Sequence, residues 1–243
     1  MNRFFINEVA DSRNTIIDLE DIKHISKVLR LDIGDEIEIV DEKNKEYIMK
    51  IVEIEKSEIH LENIKKIDIQ REDDVKIVLY QGIPKGSKMD DICKQITQVG
   101  IYEIVPVKFK RCVATDINKN KIERLQKIID EASKQSKRTV IPEIKQVLTF
   151  KQMVQELSKN DKNIVFYEDE RQKSIREFVK GIENIKKIGI IIGPEGGISE
   201  EEIRQLKEVE VDILTLGNRI LRTETASIVA KSILTYELEN KGE

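Results

Sequence analysis

The sequence IGIIIGPEGGISEEE occupies residues 188–202 and holds the pattern that decides the fold. The apolar run at 188–192 predicts a buried strand, and the glycines that follow it at 193–197 predict a tight turn. Ser199, with Glu202 three residues later, makes a capping box that is typical of a helix start. The segment therefore predicts a strand, a glycine loop and a helix, in that order.

A second segment, VDILTLGNRILRTETA at residues 211–226, repeats this design. It predicts a strand over 211–216, a loop from Gly217 and a helix from about Thr223. We expect the two strands to be neighbours in a parallel sheet, with both loops at its carboxyl edge, where open α/β sheets bind ligands. The glycine loop matches neither the phosphate-loop motif nor Gly-x-Gly-x-x-Gly, and a sharp turn alone explains its glycines equally well. The pairing of two such loops favours a small-molecule site.

The composition indicates a globular protein with a hydrophobic core, since 36% of the 243 residues are charged and 39% are hydrophobic. No apolar run approaches the roughly twenty residues that span a bilayer, and the first residues do not resemble a secretory signal. The two cysteines and two histidines are scattered, so we expect no metal site. Free thiols fit a reducing compartment, and we expect a cytoplasmic protein with no membrane association.

The net charge of −4 conceals a basic stretch, because residues 81–146 carry 14 Lys and Arg against 8 Asp and Glu. Several of these cations follow strands or begin helices, among them Lys85, Lys88, Lys94 and Arg111. Such an arrangement suits a rim that binds nucleic-acid phosphates. Solvated helix faces in a lysine-rich chain explain the same charges, so both interpretations stay open.

The organisation of the chain changes near residue 70. Alternating apolar and polar residues at 36–40, 46–54 and 58–62 predict half-buried strands, and 19–29 predicts a short helix. We expect a small β-barrel over residues 1–70, followed by a polar bridge. Strands then alternate with helices, so residues 74–243 are predicted to form a parallel sheet with helices on both faces.

Charged residues crowd the start of the last predicted helix. Arg222 and Glu224 fit a surface ion pair of little energetic weight, whereas Arg219 and Arg222 beside a cleft also suit a phosphate or an electron-rich base. No Gly-x-Ser-x-Gly occurs, and neither histidine lies in the α/β half. Hydrolase mechanisms are therefore disfavoured.

A series of motifs runs through the whole chain. It comprises YQGIPKG at 80–86, IVP at 104–106, EASKQSKR at 131–138, YE at 167–168 and the two loop segments already quoted. In this order the motifs resemble the bacterial 16S ribosomal RNA uridine-N3 methyltransferases of the SPOUT superfamily. Near the start, His24 with VLRL at 28–31 is similar to the PUA-like domain of that family.

The resemblance implies an α/β protein, with a trefoil-knotted SPOUT methyltransferase domain built on a parallel sheet and a small PUA-like β-barrel before it. It implies an S-adenosylmethionine-dependent enzyme that methylates N3 of a specific uridine in 16S ribosomal RNA. The expected partners are that RNA or the small ribosomal subunit, and a second copy of the chain in a homodimer.

The resemblance also implies three sets of site residues. Contacts with the cofactor S-adenosylmethionine are expected from Glu168, Ile192, Gly193, Pro194, Glu195, Gly196, Gly197, Leu216, Gly217, Arg219, Ile220, Leu221 and Thr225. Catalytic roles are expected for Arg222 and Arg138, which would stabilise an anionic base, and for Glu224 as a possible proton acceptor. RNA contacts are expected from Arg3, His24, Arg30, Lys85, Lys88, Lys94 and Arg111.

Other functions fit the same residues. A non-catalytic RNA-binding module predicts RNA affinity without cofactor affinity. A nucleotide-dependent enzyme predicts that the glycine loop binds phosphate. A SPOUT methyltransferase with another RNA target, such as a ribose hydroxyl, differs from a uridine-N3 methyltransferase only in its product.

Overall fold

The computed structural model describes residues 2–113 and 117–241, which form two compact units. The N-terminal unit comprises the residues up to Glu72 together with the segment Lys134–Val140. The C-terminal unit comprises Asp73–Ser133 and the residues from Ile141 onward. Within the described ranges, no helix combines the length and the apolar character needed to cross a membrane.

The N-terminal unit is a curled five-stranded sheet with one short helical segment. Its elements are β1 (Arg3–Phe5), β2 (Arg13–Ile16), α1 (Leu19–Lys23), a π-helical turn (His24–Leu29), β3 (Glu36–Val40), β4 (Glu46–Ile54) and β5 (Ile59–Ile67). The strand order is β1-β3-β4-β5-β2, with β1 parallel to β3 and the other pairs antiparallel. Phe4, Ile25, Ile37, Met49 and Leu61 form its buried core.

The sequence predictions for this unit are confirmed in part. The three predicted strands are present, and the predicted helix at 19–29 is α1 followed by the π-helical turn. Asp18 caps α1 by accepting a hydrogen bond from the Asp21 amide. The short strands β1 and β2 were not predicted, because three or four residues carry too little alternation to identify a strand.

The C-terminal unit alternates strands and helices around a parallel sheet. Its elements are β6 (Lys76–Gly82), α2 (Lys88–Gln98), β7 (Glu103–Lys108), α3 (Lys119–Gln135), β8 (Glu143–Ile144), β9 (Leu148–Thr149), α4 (Phe150–Glu156), a 3-10 turn (Leu157–Lys159), β10 (Lys162–Phe166), α5 (Ile175–Lys180), β11 (Lys187–Ile192), α6 (Glu200–Glu208), β12 (Asp212–Leu214) and α7 (Thr223–Glu239). The strand order is β12-β10-β11-β6-β7-β8, and β9 also pairs with β7. Every pairing in this sheet is parallel.

Helices cover both faces of this sheet, as predicted. Successive residues of a strand point to opposite faces, so β6 sends Leu79 into one hydrophobic core and Val78 into another. The first core is completed by α2, α3, α5 and α7, and the second by α4 and α6. The α/β fold with a parallel sheet is therefore confirmed.

The prediction that the two loop-bearing strands are neighbours in the sheet is wrong. β11 and β12 do not pair, because β10 lies between them and pairs with both: Ile164 is in register with Ile190, and Val165 with Ile213. The consequence is that three strands, and not two, end side by side at this carboxyl edge. β12 is also shorter than expected, so the chain from Thr215 to Arg222 is a loop.

Candidate active site

A cleft of about 540 Å³ opens at the carboxyl edge of the parallel sheet. Its walls are the loop after β10, which includes Glu168, the glycine loop 193–197 after β11, and the loop 215–222 after β12. Lys88 at the start of α2 and the first turn of α7 complete it. This volume lies within the range of about 300–1,000 Å³ that is usual for ligand pockets.

The glycine loop is held by contacts too close for any side chain. A Cβ atom added to Gly82 would lie 2.5 Å from the Pro194 nitrogen, and one added to Gly196 would lie 2.8 Å from the Arg111 carbonyl oxygen. Gly197 has a φ of +73°, and a Cβ there would meet the Glu168 carboxylate at 2.7 Å. The glycines therefore allow the backbone of the loop to approach three neighbouring segments directly.

A buried hydrogen-bond network fixes the loop to α7. The Thr223 hydroxyl donates to the Gly193 carbonyl at 2.7 Å and accepts from the Gln81 amide at 2.9 Å. The Ser227 hydroxyl donates to the other end of Gln81 at 2.5 Å. Sequence reasoning missed Gln81 and Ser227, although a glutamine within an apolar strand was an available signal. The network joins β6, the glycine loop and α7 into one rigid wall of the cleft.

Opposite charges meet at the mouth of the cleft around Lys88. Its ammonium lies 3.0 Å from Glu195 Oε1 and 3.6 Å from Glu224 Oε2. The hydrogen bond to Glu195 raises the pKa of Lys88, which therefore stays charged at neutral pH. Burial raises the pKa of Glu195, but hydrogen bonds from its own amide, Lys88 and the Lys85 amide outweigh that effect, and the net pKa is lowered. The ion-pair partner of Glu224 is thus Lys88, and not Arg222 as one of the two alternatives from the sequence had it.

Comparison with known proteins identifies the family. The model of an RNA methyltransferase domain matches residues 71–235, and the model of an RNA methyltransferase PUA domain matches residues 16–62. A ribosomal RNA small subunit methyltransferase E from Bacillus subtilis is 32% identical over 98% of this chain and 98% of its own. The chain belongs to the ribosomal RNA small subunit methyltransferase E family. A member from Buchnera aphidicola is 34% identical over 96% of this chain and 92% of its own.

A solved structure from the same family has the same fold over its full length. The ribosomal RNA small subunit methyltransferase E of Neisseria gonorrhoeae, bound to S-adenosyl methionine, superimposes with a TM-score of 0.85. It is 27% identical and covers 97% of this chain and 97% of its own.

Nearly all residues that the family resemblance assigns to the cofactor lie on the cleft. The lining includes Glu168, Ile192, Gly193, Pro194, Glu195, Gly196, Gly197, Leu216, Gly217, Arg219, Ile220 and Leu221. Thr225 is exposed and does not line the cleft. Arg222 lines the cleft, whereas Glu224 reaches its edge only through Lys88. Arg171, Asn218 and Thr223 also line it and were not predicted.

Arg138, which is expected to act on the reacting base, has a carboxylate partner in its own unit. It is a buried residue of the N-terminal unit, 2.5 Å from the Glu72 carboxylate. Burial raises the pKa of Glu72, but the hydrogen bonds from Arg138 and from the amides of Thr139 and Val140 outweigh it, so the net pKa is lowered. The guanidinium is therefore paired with Glu72 within the N-terminal unit, and its catalytic role stays a prediction.

Arg3 is likewise wrong as an RNA contact. Its side chain has no exposed surface and pairs with the buried carboxylates of Glu38 and Glu46. It also donates to the carbonyls of Lys137 and Arg138. A guanidinium with these partners stabilises the N-terminal unit and is not available to a phosphate.

The remaining residues expected to bind RNA have different degrees of exposure. Arg30, Lys85 and Lys94 are exposed, whereas His24 is half-buried with its ring edge-on to Phe4. Arg111 is exposed, but its guanidinium donates to the Gly196 carbonyl at 3.3 Å and so supports the glycine loop. The RNA contacts themselves stay predictions.

Proposed function

We propose that this protein transfers a methyl group from S-adenosylmethionine to N3 of a specific uridine in 16S ribosomal RNA. Family membership supports the reaction class, since relatives along the full length are small-subunit ribosomal RNA methyltransferases. The observation that carries the proposal is the cleft, where three loops of one sheet edge converge beside Arg222. A family member of the same fold was solved with S-adenosyl methionine bound.

The residues around the cleft fit that cofactor. The glycine loop presents backbone amides and carbonyls at the surface of the cleft, because no side chains cover Gly193, Gly196 and Gly197. Apolar side chains of Leu216 and Leu221 offer contact to an adenine ring, and polar groups suit the ribose and the amino-acid end. When bound, S-adenosylmethionine would supply an electrophilic methyl group to N3 of the uridine.

The protein's own residues then have distinct tasks. Backbone groups of 193–197 and 216–221 would hold the cofactor. Leu216, Ile220 and Leu221 would contact its adenine, and Glu168 would contact its polar groups. Arg222 stabilises the negative charge that the uracil ring acquires when N3 loses its proton. Glu224 accepts that proton. Positioning of donor and base in one geometry accounts for much of such a rate enhancement.

The proposal also covers a knot, an RNA-binding barrel and a dimer. We propose that the glycine loop and the loop 215–222 are the crossings of a trefoil knot, a view supported by the hydrogen bond from Thr223 to Gly193. The curled N-terminal sheet is proposed to be a PUA-like barrel that binds RNA through Arg30 and His24. A homodimer is proposed as the working form.

Methyl transfer to separate RNA classes tests the proposal. The protein is incubated with labelled S-adenosylmethionine and, in parallel, with unmodified small subunits, free 16S RNA and large subunits. Label in 16S RNA, absent with the Arg222→Ala variant, supports the proposed function. Label only in large-subunit RNA would move the target within the same reaction class. RNA binding without label or cofactor affinity would favour an RNA-binding module.

A further inference from the structure

A buried glutamine ends the apolar run of β6. Gln81 follows the apolar residues 77–80 and is itself completely buried. An amide in such a place costs free energy unless its polar groups are hydrogen-bonded. Its Nε2 group donates to the Gly82 carbonyl and to the Thr223 hydroxyl, both at 2.9 Å, and its Oε1 atom accepts from the Ser227 hydroxyl at 2.5 Å. Both N–H groups and the oxygen of this amide therefore have partners.

The partners of Gln81 determine which end of its amide faces Thr223. A backbone carbonyl can only accept a hydrogen bond, so the nitrogen of the amide must face the Gly82 carbonyl. The same nitrogen lies against the Thr223 hydroxyl, and the oxygen lies against the Ser227 hydroxyl. The hydroxyl oxygen of Thr223 is therefore an acceptor toward Gln81.

These roles leave one direction for the Thr223 hydroxyl proton. The hydroxyl lies 2.7 Å from the Gly193 carbonyl oxygen, to which it donates. A hydroxyl has a single proton that rotates to suit its neighbours, and an N–H group on one side of the oxygen turns that proton to the other side. Gln81 thus selects the orientation in which Thr223 binds the glycine loop.

The Gly193 carbonyl belongs to the first peptide of the glycine loop. This peptide joins Gly193 to Pro194, and a proline nitrogen carries no hydrogen to donate. The carbonyl is therefore the one group by which the peptide can be held through a conventional hydrogen bond, and Thr223 supplies its donor. Because Gly193 and Pro194 both line the cleft, the position of this peptide shapes the surface offered to the cofactor.

We infer that Gln81 is a positioning residue for cofactor binding, which acts on the Gly193 carbonyl through the Thr223 hydroxyl. The inference rests on the proposed function, since that function assigns the cleft to S-adenosylmethionine. Gln81 does not line the cleft, so its effect on the cofactor is indirect.

The inference explains why a polar side chain occupies this buried position. An apolar side chain of similar length would fill the same space at the end of β6, and such a replacement of a buried polar group often changes stability little. It would, however, leave the Thr223 hydroxyl free to turn away from Gly193. The amide therefore contributes a defined loop position, as fully satisfied buried networks do.

A double-mutant cycle on cofactor affinity tests the inference, with S-adenosylhomocysteine as the probe in isothermal titration calorimetry. Gln81→Met keeps the length of the side chain and removes its amide, so the affinity should fall about tenfold, the effect of one weakened buried hydrogen bond. In a Thr223→Val background no hydroxyl is left to orient, so adding Gln81→Met should change the affinity by less than about twofold. Equal fold-losses in both backgrounds would overturn the inference, because a packing role of Gln81 does not depend on the hydroxyl.

Two further variants separate orientation of the hydroxyl from folding. Thr223→Ser keeps the hydroxyl, so Gln81→Met should again lower the affinity about tenfold in that background, and a loss below about twofold there would contradict the inference. The matched control is Gln126→Met, because the Gln126 amide also donates to a backbone carbonyl, that of Pro142 at 2.9 Å, but it joins α3 to the β8 segment and does not line the cleft. This control should keep the affinity within about twofold of wild type. A tenfold loss in it would show that the removal of any such amide acts through stability, which would refute the specific role of Gln81.

The kinetic constants of methyl transfer give an independent readout. In Gln81→Met the KM for S-adenosylmethionine should rise about tenfold, while the KM for RNA stays within about twofold of wild type. A lower kcat with both KM values unchanged would indicate a smaller folded fraction and would contradict positioning. Gln81→Leu also removes the amide and takes the place of Gln81→Met if that variant does not fold. A wild-type protein that binds no S-adenosylhomocysteine would refute the proposed function itself, whereas wild-type affinity in Gln81→Met would refute the inference alone.

Discussion

Substitution of Gly82 by alanine should weaken cofactor binding, although Gly82 does not line the cleft. Gly82 ends β6 and does not line the cleft, yet its added Cβ would lie 2.5 Å from the Pro194 nitrogen and 2.8 Å from the Gly193 carbonyl carbon. Both are backbone atoms of the glycine loop, so relief requires movement of the loop itself. Overpacking of this kind costs about 1–3 kcal/mol.

The expected loss of affinity follows from that strain. If binding S-adenosylhomocysteine requires the unshifted loop, Gly82→Ala lowers its affinity by roughly tenfold to a hundredfold in isothermal titration calorimetry. The matched control is Gly181→Ala, because a Cβ there meets its nearest atoms at 3.6 and 3.8 Å, which is ordinary contact. Wild-type affinity in the Gly82→Ala variant, with an unchanged melting temperature, would refute the argument that this contact positions the loop.

Three further predictions concern named side chains. Arg222→Ala should abolish turnover and leave S-adenosylhomocysteine affinity nearly intact, and a parallel loss of both would contradict its catalytic role. Arg3→Met takes one guanidinium from the buried carboxylates of Glu38 and Glu46, which keep Lys137 and Arg71 as partners, so urea unfolding should show a loss below the roughly 3–5 kcal/mol of a fully broken buried pair, while the folded fraction keeps its RNA affinity. Because the folded-state pKa of Glu72 is lowered, its contribution to stability is complete above the unfolded value of about 4.3 and is lost as the pH falls through the folded value. The melting temperature of Glu72→Gln should therefore depend less on pH between about 5 and 3 than that of the wild type. Identical slopes of melting temperature against pH in the two proteins would show that Glu72 does not contribute to the pH dependence of stability.

Local patterns predicted most of the elements and the position of the cleft. Apolar periodicity marked the longer strands and helices, and the capping box at Ser199 and Glu202 marked the start of α6, which the structure confirms. Equivalent boxes begin α4 at Thr149 and α5 at Ser174, so these missed helices carried a readable signal.

The order of the strands and the burial of charged side chains could not be predicted from the sequence. β10 lies between β11 and β12 because of pairings that no local pattern specifies. Arg3 and Arg138 have the residue type of an RNA or base contact, but each is paired with a carboxylate more than thirty residues away. Whether an arginine faces solvent or a buried acid depends on tertiary packing, so its role is not readable from its own segment.

Nucleoside mass spectrometry tests the central claim most directly. Unmodified small ribosomal subunits are incubated with the protein and isotope-labelled S-adenosylmethionine, and the 16S RNA is digested to nucleosides. The account predicts labelled 3-methyluridine from the wild type and none from Arg222→Ala. Label in a different nucleoside would contradict methylation at uridine N3, and an absence of label from both subunits and free RNA would contradict the enzyme itself.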